Sequence, residues 1–487
     1  MSDREHASAP AQLSVTKQAL LRKRLRGAQG RQPAPRAIPA HTEPGDVPLS
    51  FAQRRLWFFF QMGDRFSFNL STTIRLAGKV NLAAAEQTLS EVVRRHGILR
   101  TRFFLVGDEP RQRVTPSARF QISVADLKSL SESERQRAAS QLIAEEASRR
   151  FDLGDESLFR ATLLNLATSE HVIMLTMHHL ISDGWSMEIL TREVAGLYEA
   201  FSSGLSSPFA YLPIQYADFA IWQRQQFSAQ ALEPQLVYWQ RQLAGLPRSC
   251  SLPTVHPRPA IQSFKGTQQS MVFSKRLTDS LKQLGHSEQA TLFMTLLAAF
   301  KALLYHYTKQ DDVFVGTGIA DRRRPETVGL IGCFINTLVL RTDLSGNPTF
   351  LELLRRVCTV TQDAYEHSDL PFEKLTESLA FDRQPGLPPL VQVIFNLFGS
   401  SRSPGQQLPN WSADGLEVKA DAAGANQPLF FDLIVSMVDA ERGLIASLRY
   451  NEALFSGALI TEVLHAFNTL LEHVAENPTL QLQDLLR

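Results

Sequence analysis

Met177-His-His-Leu-Ile-Ser-Asp-Gly-Trp-Ser186 closes one apolar run and opens another, and the reading of the whole chain turns on it. The run before it, His171-Val-Ile-Met-Leu-Thr-Met177, has the density of a buried strand. The stretch Trp185 to Phe201 has helical spacing. On a strand, alternation sends His178 and His179 to opposite faces, one toward a cleft and one into the packing. Neighbouring strand positions cannot converge on one ion, and no Cys or His stands at a usual ligand spacing, so no metal site is expected. Gly184 permits a tight turn and close approach of a substrate backbone. Asp183 is placed to cap the following helix and to pair with an arginine, which would brace the loop presenting His179. A neutral imidazole at a cleft suits a general base near pH 7. Asp183 is then architectural and not a proton carrier.

Bulk composition bounds the class of protein. At 487 residues the chain exceeds one hydrophobic core, so two substantial domains and a tail are expected. Its 44% hydrophobic and 20% charged residues are those of an ordinary globular protein. A net charge of +1 points neither to nucleic acid nor to an anionic membrane. No stretch approaches the length of an apolar membrane span, and the first residues lack a signal-peptide core. Cys250, Cys333 and Cys358 are too scattered for a disulfide framework or a zinc site. The expectation is a cytoplasmic protein, monomeric as an isolated domain.

Residues 1–46 read as a flexible tail rich in Pro, Ala and Gly, with one basic amphipathic segment, Leu13 to Arg26. That segment is either a docking or linker helix or a frayed, solvated terminus. From Pro48 the chain becomes periodic. Ser50 is the expected N-cap of a helix opening at Phe51. Strands are expected at Phe68–Leu76, Leu99–Leu105, Phe159–Leu166 and His171–Met177, and helices at Leu82–Arg95, Ser131–Phe151 and Trp185–Phe201. Beyond Pro213 a second block repeats the mixture. Its helices are expected at Leu277–Leu284, Thr291–Thr308 and Thr349–His367, and its strands at Gln268–Phe273, Asp312–Gly316 and Leu390–Phe398. The elements mix irregularly, without the repeated βα spacing of a doubly wound sheet, so the class is mixed α/β. Gly399 to Gln427 reads as a long loop, either functional or a crossover between halves.

A two-histidine motif alone recurs in several acyltransferases, and here it has company. Met177 to Ser186 resembles the His-His-x-x-x-Asp-Gly core of nonribosomal peptide synthetase condensation domains. Ser50-Phe-Ala-Gln-Arg-Arg-Leu-Trp57 resembles that family's opening motif. Arg95-His-Gly-Ile-Leu-Arg-Thr-Arg-Phe103 resembles its second, with Gly97 where Glu is usual. Tyr216 to Trp222, Ile331-Gly-Cys-Phe-Ile-Asn-Thr337, His367-Ser-Asp-Leu-Pro-Phe-Glu373 and Pro389 to Asn396 resemble four later segments in order.

The resemblance implies two chloramphenicol-acetyltransferase-like lobes forming a V, with the active site in the central cleft. The lobes would run over 47–226 and 227–487. It implies amide formation by attack of a carrier-bound aminoacyl amine on a carrier-bound acyl or peptidyl thioester. Donor and acceptor carrier proteins would be the partners, with an adenylation domain as neighbour. Substrates would ride on 4'-phosphopantetheine, with no cofactor held by the domain itself. His179 would act at the reacting atoms, as base or by positioning, with His178, Asp183 and Gly184 completing the catalytic motif. Trp185, Ser186 and Asn336 are the expected substrate-binding residues, and Arg100 and Arg322 the candidate partners of Asp183. An ester-forming relative with a hydroxyl acceptor needs the same base and cleft. A non-catalytic, partner-recruiting relative is the alternative from another class. The opening Met1 and the basic segment lead to the expectation of a polypeptide start whose donor comes from another protein, either peptidyl or chain-initiating.

Overall fold

Capping chemistry and apolar spacing set the helices, and the break between them falls where the sequence changes period. The computed structural model describes residues 37–486 apart from 42–44, 62–67, 117–118, 155–156, 228, 248, 251, 260–262, 380–386, 389, 400–416 and 423–428. The segment Leu13–Arg26 and nearly all of the tail 1–46 therefore lie outside the described residues.

The first half contains β1 (Val47–Pro48), α1 (Phe51–Gln61), β2 (Asn69–Ala77), α2 (Leu82–Arg95), β3 (Thr101–Val106), β4 (Glu109–Val114) and β5 (Ser123–Asp126). After these come α3 (Glu132–Ser148), β6 (Phe159–Ala167), β7 (Glu170–His178), α4 (Gly184–Ser202) and α5 (Tyr216–Gln226); α6 (Ala229–Gln242) follows and packs into the core of the second half through Leu232 and Trp239. Ser50 caps α1 as expected: its Oγ accepts the Gln53 N–H at 3.1 Å, and Gln53 Oε1 accepts the Ser50 N–H at 3.0 Å. Helix α2 opens on Asn81, whose Oδ1 accepts the Ala84 N–H at 3.1 Å, and closes on Arg94 and Arg95, where the helix dipole favours cations. Its buried face, Ala84, Ala85, Thr88, Leu89, Val92 and Val93, repeats every three to four residues.

Thr88 is an exception within that face. Its hydroxyl is buried without a hydrogen-bond partner among the described residues, beside a small apolar cavity lined by Leu76, Val80, Leu89, Ile122 and Leu163. Thr88→Val keeps the β-branched shape and removes an unsatisfied polar group. It is expected to stabilise the fold by about 1 kcal/mol, read as a raised denaturant midpoint at unchanged slope.

The second half contains β8 (Gly266–Val272), α7 (Lys275–Ser287), α8 (Leu292–Thr308), β9 (Asp312–Ala320), β10 (Ile335–Asp343) and α9 (Phe350–Glu366). Then follow α10 (Phe372–Ser378), β11 (Val393–Gly399), β12 (Glu417–Ala422), β13 (Leu433–Ala440), β14 (Gly443–Asn451) and α11 (Gly457–Glu476). Helix α8 is buried on all sides from Met294 to Leu304 and encloses Lys301, whose Nζ donates to Leu340 O at 2.8 Å and Thr342 Oγ1 at 2.6 Å. Among the described residues no carboxylate bonds that ammonium, and burial lowers its pKa to about 7. The penalty on the charged form is complete below pH 7 and is relieved as pH rises toward the ordinary lysine value. Stability should therefore increase between pH 7 and about 8.5, by at most about 1.4 kcal/mol per pH unit. Urea titrations should show this rise in the native chain and lose it in Lys301→Met.

Three sheets result. The first half carries the order β12-β2-β7-β6-β5 and a small sheet β1-β4-β3; the second half carries β10-β9-β11-β13-β14-β8. Strand β12 lies between β11 and β13 in the chain, yet it pairs antiparallel with β2 from Glu417↔Ala77 to Ala422↔Thr72. The stretch expected as a loop or crossover thus contains a strand that extends the first half's sheet. Residues 39–487 form one compact unit. Among the described residues no single helix is long and apolar enough to cross a membrane, and no cluster of His, Cys, Asp or Glu could hold a metal.

Candidate active site

The histidine motif straddles a change of backbone conformation. Strand β7 ends at His178, which pairs with Asn69 of β2, and His179 begins a 3-10 turn, His179–Ile181. The two side chains therefore part at a strand-to-turn junction and not by strand alternation. His178 is 1% exposed, with the rings of Phe60, Phe68 and Phe151 at 5.7, 5.8 and 6.2 Å. Its Nδ1 accepts the Leu180 N–H at 3.1 Å, so the proton sits on Nε2, which has no partner among the described residues. Burial, with His179 and Arg160 nearby, pushes its pKa down to about 3, and the ring is neutral. The motif puts His178 among the expected catalytic residues; the structure instead seals it into the packing.

His179 holds the opposite tautomer. Its Nδ1 lies 2.8 Å from Ser182 O, and a carbonyl only accepts, so Nδ1 carries the proton and Nε2 the lone pair. The ring is part-exposed. Burial holds its pKa below the ordinary histidine value, against the opposing pull of Ser182 and Asp183, and the Arg55 cation adds to the lowering. A neutral imidazole with an available Nε2 is the form a base requires.

Asp183 is spent on architecture. Oδ1 accepts the Ser186 N–H at 2.8 Å and the Ser186 hydroxyl at 2.7 Å, and Oδ2 accepts the Phe334 N–H at 3.0 Å. Arg322 Nη2 donates to both oxygens at 3.1 and 3.3 Å. Of the two candidate partners, Arg322 is thus the one that pairs. Arg100 bonds Thr115 O instead. The Arg322 Nη1 group also donates to Thr327 O at 2.7 Å and Leu330 O at 2.6 Å, and its guanidinium lies over the Phe334 ring.

Ser186 and Asn336, expected to meet substrate, are instead consumed within the framework. Ser186 Oγ, whose one proton goes to Asp183, accepts the Gly332 N–H at 3.0 Å and stands 2.8 Å from Gly332 O. Asn336 Nδ2 donates to Ser368 O and Leu370 O, while its Oδ1 accepts the Phe372 N–H at 3.0 Å, which starts α10. Trp185 Nε1 donates to Val328 O at 3.1 Å, a tie between halves. Gly184 is exposed, with open space where a Cβ would stand. It begins α4, whose first amides have no acceptor within the helix and favour negative charge.

The segment Val328–Phe334 of the second half is therefore fastened to the first by several bonds, including Tyr216 Oη to Cys333 O at 2.6 Å. Gly332 is required there, since a Cβ would come 1.9 Å from Tyr216 Cδ2. One residue of the site escapes sequence reasoning. Arg55 of α1 pairs with Glu373 of α10 at 3.2 Å and faces His179 electrostatically. Both partners stand in motifs quoted above, and their opposite charges in separate motifs are the available signal.

Two α/β halves with the histidine loop between them have the two-lobed chloramphenicol-acetyltransferase-like architecture, and known proteins agree. A family model described as "Condensation domain" matches residues 43–486, and the chain belongs to that family. It is 42% identical over 444 residues to one of the linear gramicidin synthase proteins of Brevibacillus parabrevis, covering 89% of this chain and 8% of that protein. The chain spans less than a tenth of the length of the three linear gramicidin synthase proteins it matches. Among solved structures, the X-domain from teicoplanin biosynthesis aligns at TM-score 0.83 and 28% identity, over 92% of this chain and 99% of that one. That X-domain has also been solved in complex with OxyB. The first condensation domain of the calcium-dependent antibiotic synthetase, bound to a substrate analogue, aligns at TM-score 0.73 and 19% identity, over 90% and 99% of the two chains, a likeness of fold.

Proposed function

We propose that the chain joins two carrier-bound substrates by an amide bond. The amine of an aminoacyl thioester attacks an acyl or peptidyl thioester in nonribosomal peptide assembly. The lobes would divide near Gln226, at 47–226 and 227–487. The observation that carries the reading is the tautomer of His179: Nδ1–H is fixed on Ser182 O, which leaves Nε2 to take the proton of the attacking amine. Nitrogen attacks the thioester carbon, a tetrahedral intermediate forms, the thiolate leaves, and the proton passes through His179. The Gly184 amide at the open end of α4 suits the developing oxyanion. Because a thioester is already activated, holding both tethered reactants in line supplies much of the rate. Donor and acceptor carrier proteins are the partners, and an adenylation domain the neighbour in a full synthetase.

The test supplies two loaded carrier proteins and reads the joined product by intact mass spectrometry. A new amide supports the reading; the absence of both amide and ester over a panel of donor–acceptor pairs overturns it. One observation favours a second reading, a domain that recruits an enzyme without doing chemistry: the X-domain neighbour solved with OxyB. That reading predicts partner binding with no product from any carrier pair.

A further inference from the structure

Each half builds its sheet on the same plan. In the first, β7 pairs antiparallel with both β6 and β2, and β6 pairs parallel with β5. In the second, β14 pairs antiparallel with both β13 and β8, and β13 pairs parallel with β11. Strand β8 therefore stands where β2 stands. The outer edge of β2 is filled by β12, a strand donated by the other half of the chain. Among the described residues the outer edge of β8 has no such strand, and the sheet ends there.

Alternation along the strand fixes which groups that edge offers. The Phe273 N–H donates to Leu444 O at 2.7 Å, so Phe273 and every second residue before it face β14. Gln268, Ser270 and Val272 turn their N–H and C=O groups the other way, and among the described residues nothing bonds them. The edge closes only before the strand, where Phe264 O accepts the Leu429 N–H at 2.9 Å. Edge strands are normally blunted by shortness, proline or charge. Here β5 has four residues and β1 two, one of them proline. Strand β12 carries Glu417, Lys419 and Asp421, β3 carries Arg102, and β10 ends in Arg341-Thr-Asp343. Strand β8, Gly266-Thr-Gln-Gln-Ser-Met-Val272, runs seven residues without charge, proline or register shift, and Val272 is 63% exposed.

We infer that the open edge of β8 pairs antiparallel with the same edge of a second copy of this chain, with the two-fold axis at Ser270. The side chains select this occupant. An antiparallel strand meeting its own copy sets Ser270 against Ser270 and Gln268 against Val272. No like charges meet between Gln268 and Val272, and Ser and Gln side chains both donate and accept. The outward N–H and C=O groups of the three residues then find partners in one another. The two second-half sheets become continuous. Strand β10, which carries Asn336, and β9, which leads to Arg322, lie at the other end of that sheet, so the inference is independent of the amide-forming reading.

Sedimentation velocity of the full chain at rising concentration reads the association. A short strand pair buries little area, so a dissociation constant on the order of 10–100 μM is expected. Ser270 is exposed, and its hydroxyl meets only Gln268 and Ser447, so the fold tolerates a charge there. Ser270→Lys and Ser270→Glu should each weaken association at least ten-fold, because like charges then face each other across the two-fold. An equimolar mixture of the two variants should associate at least as tightly as the native chain, since lysine then faces glutamate. That recovery also shows both variants to be folded. A native chain that stays monomeric throughout the range overturns the proposal. So does an association that both variants leave unchanged, or a mixture that fails to associate.

Discussion

Replacing His179 with alanine is expected to slow amide formation by about 10²–10⁴-fold, the range that a positioned proton-transfer group contributes. The loss is bounded because the activated thioester and the tethering of both reactants remain. Single-turnover reactions between loaded carriers, followed by intact mass spectrometry, give the rate directly. The pH profile separates proton transfer from positioning. Burial and the Arg55 cation hold the His179 pKa below the ordinary histidine value. Only the neutral ring accepts a proton, so the rate should rise with pH along an acid limb lying below about 6.5 and be flat at neutrality. His179→Ala should have no such limb. His179→Asn retains a side chain that hydrogen-bonds and removes one that titrates. If it restores most of the rate, the residue works by orienting the amine. A rate for His179→Ala equal to that of the native chain removes this residue from the mechanism.

Most of the helices are legible in the sequence because their signals are local. Asn81, Thr291 and Thr349 each cap the helix that follows them, and apolar residues recur at helical spacing behind them. Pairing is less legible. Strand β4 reads Glu-Pro-Arg-Gln-Arg-Val, a polar and proline-bearing sequence with no apolar alternation to mark it. Strand β12 follows a long irregular stretch and finds its partner in the other half of the chain, which no short-range pattern encodes. The same distinction holds at the site. Asp183 as helix cap is readable from four residues of sequence. Its choice of Arg322 over Arg100 depends on a contact 139 residues away. Ser186 and Asn336 read as substrate-binding because polar residues in a motif look available. Gly332 becomes a neighbour of Ser186 only when the halves meet, and the carbonyls of Ser368 and Leu370 reach Asn336 from 32 and 34 residues further along the second half. One histidine of the pair is packed away, as alternation expects, but the physical reason differs, since the backbone turns at His179 before alternation can operate.

Arg322→Met is expected to destabilise the chain by about 3–5 kcal/mol, the cost of stranding one member of a buried ion pair. Arg322 and Asp183 are 7% and 3% exposed, and they join segments from the two halves. Methionine fills much of the volume but leaves the Asp183 carboxylate with only the Ser186 and Phe334 donors, and it leaves the carbonyls of Thr327 and Leu330 without theirs. Asp183→Asn should cost less, because an amide oxygen still accepts the Ser186 N–H that starts α4. The double variant should be more stable than the sum of the single losses predicts, since neither an unpaired cation nor an unpaired anion is then buried. Equilibrium unfolding of the four proteins in urea, followed through tryptophan fluorescence with Trp185 at the junction, gives the coupling energy. A coupling near zero would mean that the pair does not hold the halves together. A large coupling, with amide formation falling in proportion to the folded fraction alone, would assign Asp183 to architecture and leave the chemistry to His179.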